Sequence, residues 1–360
     1  MRVLRNYLTA SFIRLVTITT LLLSFILLLF DLFSNLEQYL QVGAPLLSIL
    51  YATVLYLPES IVFAFAPSAL FASTYILAMM HTHNEMIILN NSGISFKKIV
   101  RIFIVTSLFL SLLQFAFNEY VTIKANILKS EYTADLLDTS ISKDSRNITL
   151  YGLDKSYIVY AKRFSERENK ITGVSLYHLE PNGSLIERAD ATSGIYNEGQ
   201  WTLNAVNLYS IDETTNEVTY QHLTTYTPLY LTLNPSFFAN KSNDVLNMPL
   251  KEALSYLESI KVVKKGEYSV IATEVYNRIF KNLAPLILIL ISCSTVFAWK
   301  KNVLILSIIT SISIGVVYYV LLLIGMILAK QGVIMPILGT LGPMTLLTLS
   351  SIFTLILKRN

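Results

Sequence analysis

The sequence predicts an α-helical membrane protein with six transmembrane helices, three before and three after an inserted extracytoplasmic all-β domain. Three observations carry that reading. Only 14% of the residues are charged and 53% are hydrophobic, with a mean hydropathy of +0.53, whereas a soluble domain carries about a quarter charged residues. Most of the charges are pooled between Val121 and Glu267, and the rest of the chain runs through long uncharged stretches. Those stretches reach the roughly 20 residues that a helix needs to cross a hydrocarbon core of about 30 Å. A disordered chain, a disulfide scaffold and an ordinary cytosolic enzyme are excluded by composition alone.

In order, the first span runs from about Leu15 to Phe33, the second from Ile61 to Met80 and the third from Ile102 to Phe117. The fourth is Asn282 to Trp299, the fifth Asn302 to Ala329 and the sixth Gly332 to Leu357. The basic N-terminus with its apolar run imitates a signal peptide, but no small-residue cleavage site follows Phe33, so it reads as an uncleaved span. Val42 to Leu57 is apolar too; it is short and broken by Pro58 and Glu59, which suits an interfacial or re-entrant helix. Charge placement supports six spans. Arg2, Arg5 and Arg14, then Lys97, Lys98 and Arg101, then Lys300 and Lys301, then Lys358 and Arg359 all fall on one side. Basic loops face the cytoplasm, which puts both termini there and the large domain in the periplasm. The domains are therefore residues 1–120, 121–267 and 268–360, with a short cytoplasmic helix at about 84–95.

The insert alternates as strands do at Ser156–Tyr160, Gly173–Leu179, Trp201–Tyr209 and Glu217–Leu223, with turns at Pro181-Asn182-Gly183 and Asn197-Glu198-Gly199. A β-sandwich or β-roll follows. After Phe238 the pattern turns helical, with Leu250, Leu254 and Leu257 as one apolar stripe.

Chemistry is sparse. No P-loop, zinc-protease motif or nucleophile elbow occurs, so no catalytic residue, metal site, cofactor or nucleic-acid partner is expected in this chain. The single cysteine, Cys293, sits in an apolar run and reads as packing. His81, His83 and Glu85 fit a solvated turn better than a metal site. Asp31, Glu59, Glu119, Glu274, Arg278 and Lys281 lie near span ends, where headgroup-level snorkelling is the simplest account. Glu274, Arg278 and Lys281 share a helical face and could pair with each other or with another helix. Tyr318 and Tyr319 lie mid-span, where a phenol needs a partner or a polar cavity. Pro67, Pro336 and Pro343 read as helix bends.

Asn84 to Gly93 is more informative. Asn84 can cap a helix, Glu85 suits its positive end and Gly93 can terminate it. Met86, Ile87, Ile88 and Leu89 are apolar outside any full span. Either the helix lies in the lipid interface, or it docks in a groove of a cytoplasmic partner with Glu85 meeting an arginine.

The order of these features resembles the LptF/LptG permease family over nearly the whole chain. The best carriers are Tyr56-Leu-Pro58, Phe65-Ala-Pro67-Ser-Ala-Leu70, Asn84-Glu-Met and Asn91-Ser-Gly93-Ile-Ser95; Met248 to Leu257 and Pro336-Ile-Leu-Gly339 are weaker ones. The resemblance implies a β-jellyroll insert and one permease subunit of an ABC transporter that extracts lipopolysaccharide, or a related glycolipid, from the inner membrane. It also implies a paralogous six-span partner, a cytoplasmic ATPase dimer of the LptB type that hydrolyses the ATP, and an LptC-type single-span acceptor. Glu85, Met86, Ile88, Leu89, Ser92 and Gly93 would then seat in the ATPase, and Ile26, Phe30, Phe33, Tyr318, Tyr319 and Leu322 would line the lipid cavity. One departure stands out. LptG-type chains often carry lysines near the outer end of the first span, whereas Phe30 to Glu37 is acidic here and has no base. Either the paralogue supplies the positive charge or the cargo is less phosphorylated. The context of Asp31–Glu37 and Leu57-Pro58 leans toward LptG. The alternatives are another ABC-linked system, for lipoprotein release or mechanotransmission, and a membrane-anchored scaffold without transport.

Overall fold

The computed structural model describes residues 2–137, 144–211, 217–239, 245, 248–263, 265–295 and 302–357. Lys300 and Lys301, Lys358 and Arg359, and the Trp299 end of the fourth span lie outside the described residues. The chain divides into two compact units, Met1–Thr139 with Thr273–Asn360, and Ser140–Ala272.

Among the described residues, six helices are long and apolar enough to cross a membrane. The first, α1 (Arg2–Gln41), is followed by a short helix α2 (Leu46–Leu55) and then α3 (Leu57–Thr82). A helix of about two turns, α4 (Glu85–Asn91), joins α3 to α5 (Phe96–Phe117). A π-helical turn at Asn118–Thr122 carries α5 without interruption into α6 (Ile123–Leu136), so helix continues well past Val121, where the charges begin. The α2 segment is too short to span. It buries Ile49, Ala52 and Thr53 and leaves Leu46 and Leu47 exposed. Its buried side meets Tyr39 of α1 and, through Tyr132 and Leu136, α6.

Helix α3 is the hub of this unit. Its buried positions are mostly small, among them Ala64, Ala66, Ser68, Ala69, Ala72 and Ser73. Small side chains let helix backbones approach closely where no hydrophobic drive exists between apolar neighbours. α1 lays Leu8, Phe12, Val16, Thr20 and Ser24, one every fourth residue, along the packed side. Phe12 meets the ring of Phe103 on α5 edge-on at 5.3 Å. Leu8, Phe12, Met80, Met86 and Ile99 share one cluster, so the N-terminus of α1, the end of α3, α4 and the start of α5 gather at one end. Arg2, Arg5, Lys97, Lys98 and Arg101 belong to that same end.

The later helices of the unit include the membrane-side part of α9 (Lys265–Phe280), then α10 (Ala284–Ser294), α11 (Val303–Lys330) and α12 (Pro336–Leu357), where α7 and α8 are the short helices Pro235–Phe238 and Leu250–Val263. Pro336 opens α12 rather than bending it, since the first turn of a helix needs no N–H there. α11 and α12 touch backbone to backbone: a Cβ on Gly325 would come within 2.3 Å of the Gly339 carbonyl, and one on Gly339 within 2.3 Å of the Ala329 Cβ.

The other unit is a six-stranded antiparallel meander in sequential order. Its strands are β1 (Ser145–Tyr151), β2 (Tyr157–Ser165), β3 (Lys170–Leu179), β4 (Leu185–Asn197), β5 (Gln200–Ile211) and β6 (Val218–Tyr226). Glu198 and Gly199 have φ of 50° and 87° in the two-residue link between β4 and β5, the conformation whose twist matches a hairpin. Val159, Leu176, Ala189, Leu203 and Val206 alternate onto one buried face. Among the described residues no second sheet covers it. The segment after β6 lies across it with Leu231, Leu233 and Phe238, joined by Val263 of α8. Buried Trp201 donates its indole N–H to the Leu233 carbonyl at 2.7 Å, and Tyr196 donates to Asn234 Oδ1 at 2.9 Å. The helix expected after Phe238 is present, but its buried stripe is Ala253, Leu257, Ile260 and Val263, while Leu254 is exposed.

Candidate functional site

Two places in the helical unit concentrate unusual residues. The first is α4. Asn84 does not cap it through its side chain; the residue takes the left-handed conformation, φ 60°, and its carbonyl accepts the N–H of Ile88. Asparagine tolerates that backbone better than most residues, which lets the chain turn sharply out of α3. At the other end Gly93, with φ 78°, closes a Schellman turn. Its N–H reaches the Asn90 carbonyl at 3.0 Å, and the Ile94 N–H reaches the Leu89 carbonyl at 2.9 Å. The Ser92 hydroxyl donates to the Ile88 carbonyl at 2.9 Å.

The turn fixes which side chains face outward. Met86 is buried and Leu89 packs against the same cluster of α1, α3 and α5 side chains, so both anchor the helix. Ile87 and Ile88 are 56% and 61% exposed. Glu85 forms no ion pair among the described residues, and it lines a groove of about 320 Å³ with Tyr7, Ser11, Arg14, Tyr75 and His83. Of the six residues expected to seat in a partner, the structure turns Met86 and Leu89 inward, exposes Ile88, Ser92 and Gly93, and sets Glu85 at a groove rim. Ile87 joins the exposed side, and nothing in its residue type distinguishes it from Ile88.

The second place is the seam between α3 and α11. A groove of about 520 Å³ runs between α1, α3 and α11, lined by Leu22, Pro67, Phe71, Ile312, Val316 and Tyr319 among others, nearly all apolar. Further along the same seam a second groove, of about 390 Å³, is lined by Phe63, Gln114, Asn277, Lys281, Tyr318 and Leu322 among others. Tyr319 borders both. Tyr318 and Leu322 are buried in the cluster that joins α3, α10, α11 and α12. Ile26, Phe30 and Phe33 are exposed on α1 and line neither groove. Sequence reading passed over Gln114, Asn277 and Tyr75; only Gln114, an amide inside the run Leu112-Leu113-Gln114-Phe115, carried a signal.

The overall sequence pattern matches that of the lipopolysaccharide export system permease LptF/LptG family across residues 6–357. The chain belongs to that family. It is also 25% identical over 311 residues to the lipopolysaccharide export system permease protein LptG of Escherichia coli strain K12, covering 85% of this chain and 84% of the relative. The LptG of E. coli O6:H1 strain CFT073 matches to the same extent. Six apolar helices with an antiparallel sheet inserted between the third and fourth are the LptF/LptG architecture.

The charges at the span ends fit this family frame differently from snorkelling. Asp31 takes the Lys129 ammonium on both oxygens, at 2.7 and 2.8 Å. Arg278, 4% exposed, donates to Glu119 at 2.6 Å, and Lys330 is bonded to Glu274. Each pair ties two different helices together. The acidic C-terminal end of α1, where a base is lacking in sequence, is thus matched by a lysine from α6.

Proposed function

We propose that this chain is one permease subunit of an ABC transporter that extracts lipopolysaccharide, or a related glycolipid, from the inner membrane and passes it to a periplasmic bridge. The observation that carries the proposal is α4: a helix of about two turns, clamped at both ends by left-handed residues, anchored inward by Met86 and Leu89 and presenting Ile87 and Ile88 outward. That is the form of an element made to be gripped by another protein. It lies at the end of the bundle that collects Arg2, Arg5, Lys97, Lys98 and Arg101, which the positive-inside rule makes cytoplasmic, where an LptB-type ATPase dimer would meet it. The paralogous six-span subunit would close the apolar seam of α1, α3 and α11 from the other side, and an LptC-type protein would take the lipid at the β domain. Resemblance to two LptG relatives favours the LptG side of the pair. Extraction needs an energy source, because each methylene pulled from the hydrocarbon resists by about 0.8 kcal/mol; this chain supplies the slot and its partner the ATP hydrolysis.

The test is Glu85→Lys in the complex purified from native membranes and reconstituted with lipopolysaccharide. Glu85 holds no ion pair among the described residues, so the spans and the assembly are expected to persist. Loss of a charge-assisted contact of about 1.5–3 kcal/mol is expected to cut ATP-driven extraction at least tenfold. Extraction and ATPase activity both at wild-type level would refute the coupling role, and absence of any co-purifying ATPase would refute the transporter reading.

A further inference from the structure

The groove of about 320 Å³ between α1 and α3 holds polar side chains that the chain itself does not use. Tyr7, Ser11 and Arg14 from α1, Tyr75 and His83 from the α3 side, and Glu85 line it. None of these six side chains makes a hydrogen bond or ion pair with another described residue. None is closed off either. Tyr7, Arg14 and His83 are exposed, and Ser11, Tyr75 and Glu85 are half-buried, so a molecule entering the groove can reach them. The first turns of α1 and the last turns of α3 meet in one cluster, through Leu8 and Met80, so the two helices run antiparallel along the groove. Tyr7, His83 and Glu85 therefore mark its shallow end. Arg14 lies about two turns, or about 10 Å, further along α1, and Tyr75 lies a like distance back along α3. There the apolar run that begins at Leu15 takes over. A guanidinium keeps its proton, and at the edge of the hydrocarbon a charge is costly without a counter-ion. No described carboxylate is bonded to Arg14, so its counter-ion comes from outside the chain.

The donors and acceptors specify what that counter-ion belongs to. At the deep end the Arg14 guanidinium and the Ser11 and Tyr75 hydroxyls are all donors, the set that a phosphodiester accepts. Leu15, Ile18 and Ile76 line the same groove and continue it into the apolar run, which suits an attached acyl chain. At the shallow end stands Glu85, whose carboxylate repels a second negative charge and attracts a positive one. Pockets that select anionic lipids gather several bases, whereas Arg14 is the one lysine or arginine lining this groove and Glu85 balances it. A guanidinium at one end and a carboxylate at the other, not bonded to each other, match a headgroup that carries a phosphate and then an ammonium. We propose that this groove seats the headgroup of a phosphatidylethanolamine from the leaflet at this end of the bundle. Its phosphate lies on Arg14, Ser11 and Tyr75, and its ammonium lies toward Glu85. The occupant is a resident phospholipid, not the glycolipid proposed as cargo, so its binding does not depend on export. A carboxylate accepts on both oxygens, so an ammonium in the groove leaves Glu85 able to take a partner's arginine at the rim.

The test uses the full chain with its accompanying subunits, purified in detergent and stripped of lipid. It is titrated with dihexanoyl-phosphatidylethanolamine or dihexanoyl-phosphatidylglycerol, and bound lipids are counted by native mass spectrometry. Phosphatidylethanolamine is expected to bind about fivefold more tightly than phosphatidylglycerol. Arg14→Gln should weaken its binding at least about tenfold, the worth of a charge-assisted hydrogen bond, and Arg14→Lys should recover part of the loss. Glu85→Gln should erase the preference for phosphatidylethanolamine while leaving phosphatidylglycerol bound as before. Arg5→Gln, which alters the same end of α1 outside the groove, should bind as wild type does. Ser11→Ala with Tyr75→Phe keeps the charge in place and should weaken binding about tenfold; this pair decides the matter where Arg14→Gln fails to fold. Wild-type binding in Arg14→Gln, phosphatidylglycerol bound as tightly as phosphatidylethanolamine, or an equal loss in Arg5→Gln would each overturn the site. In native membranes a photo-crosslinking residue at Ile18 should capture phospholipid. Capture of another subunit or of lipopolysaccharide in its place would show a different occupant and overturn the site too. Each of these outcomes reads the same whether or not the complex extracts lipopolysaccharide.

Discussion

Substitution of Gly339 by alanine tests the packing that positions the two grooves. A Cβ at Gly339 would lie 2.3 Å from the Ala329 Cβ and 2.6 Å from the Gly325 carbonyl oxygen. Both neighbours are backbone or backbone-adjacent, so no rotamer change relieves the overlap; α11 and α12 must separate instead. Overpacking of this kind costs about 1–3 kcal/mol, against a gain of about 1 kcal/mol in helix propensity over glycine. Gly342, three residues along the same helix, supplies the control, because a Cβ there meets nothing within 4 Å. Gly342→Ala should therefore be neutral or stabilising, while Gly339→Ala should be destabilising. Thermal unfolding of the purified protein in one detergent, followed by tryptophan fluorescence and by retention of its partners, reads the difference. A Gly339→Ala melting temperature equal to or above that of Gly342→Ala would refute the close approach of the helices. Since α11 borders both grooves, a sound packing account also requires Gly339→Ala to impair glycolipid extraction while Gly342→Ala does not.

Other outcomes follow from single contacts. Trp201→Phe removes the donor to the buried Leu233 carbonyl, at a cost of about 1–3 kcal/mol; limited proteolysis of the full chain should then cut after β6 faster than in wild type. Gly93→Ala places a side chain at φ 78°, costing about 1 kcal/mol, and should loosen α4, measured as faster amide exchange at Ile94. Tyr226 and Tyr230 both donate to Glu187 Oε1, at 2.7 and 2.6 Å. Burial and the Glu187 carboxylate push the Tyr226 phenol up to about 12 and raise that of Tyr230 as well. A raised phenol binds its proton more tightly in the folded state, so this contribution is complete below pH 10 and is lost as pH rises through about 12. Ultraviolet titration of tyrosinate should show Glu187→Ala lowering that midpoint, and an unshifted titration would count against the clamp.

The helical half was legible because an apolar span needs length and little else: all six membrane-capable helices among the described residues coincide with apolar runs. Four of the six strands were equally plain. β4 was not, because its inward positions are Ala189, Ala191 and Gly194, which hide the alternation of a buried face. Gly194 has to be that small, since a Cβ there would strike Leu203 at 2.6 Å. β1 has the turn Gly152-Leu-Asp-Lys-Ser156 after it, but only Ile148 and Leu150 of its seven residues are buried, too few to show an alternation.

The charged span ends show the deeper limit of one-dimensional reading. Glu274, Arg278 and Lys281 are spaced to share a face, and spacing alone offers pairing among themselves. In the fold, Glu274 goes to Lys330 and Arg278 to Glu119, partners 56 and 159 residues away. A sequence gives the sign and the level of a charge along its own helix but not the helix that will face it. The same holds for Gln114, Asn277 and Tyr318, which come from three helices and mean little singly: a glutamine or a tyrosine in a span is ordinary when its polar atom is satisfied. Only the fold shows that these three residues, from three helices, line one groove, a juxtaposition that no motif along the chain announces.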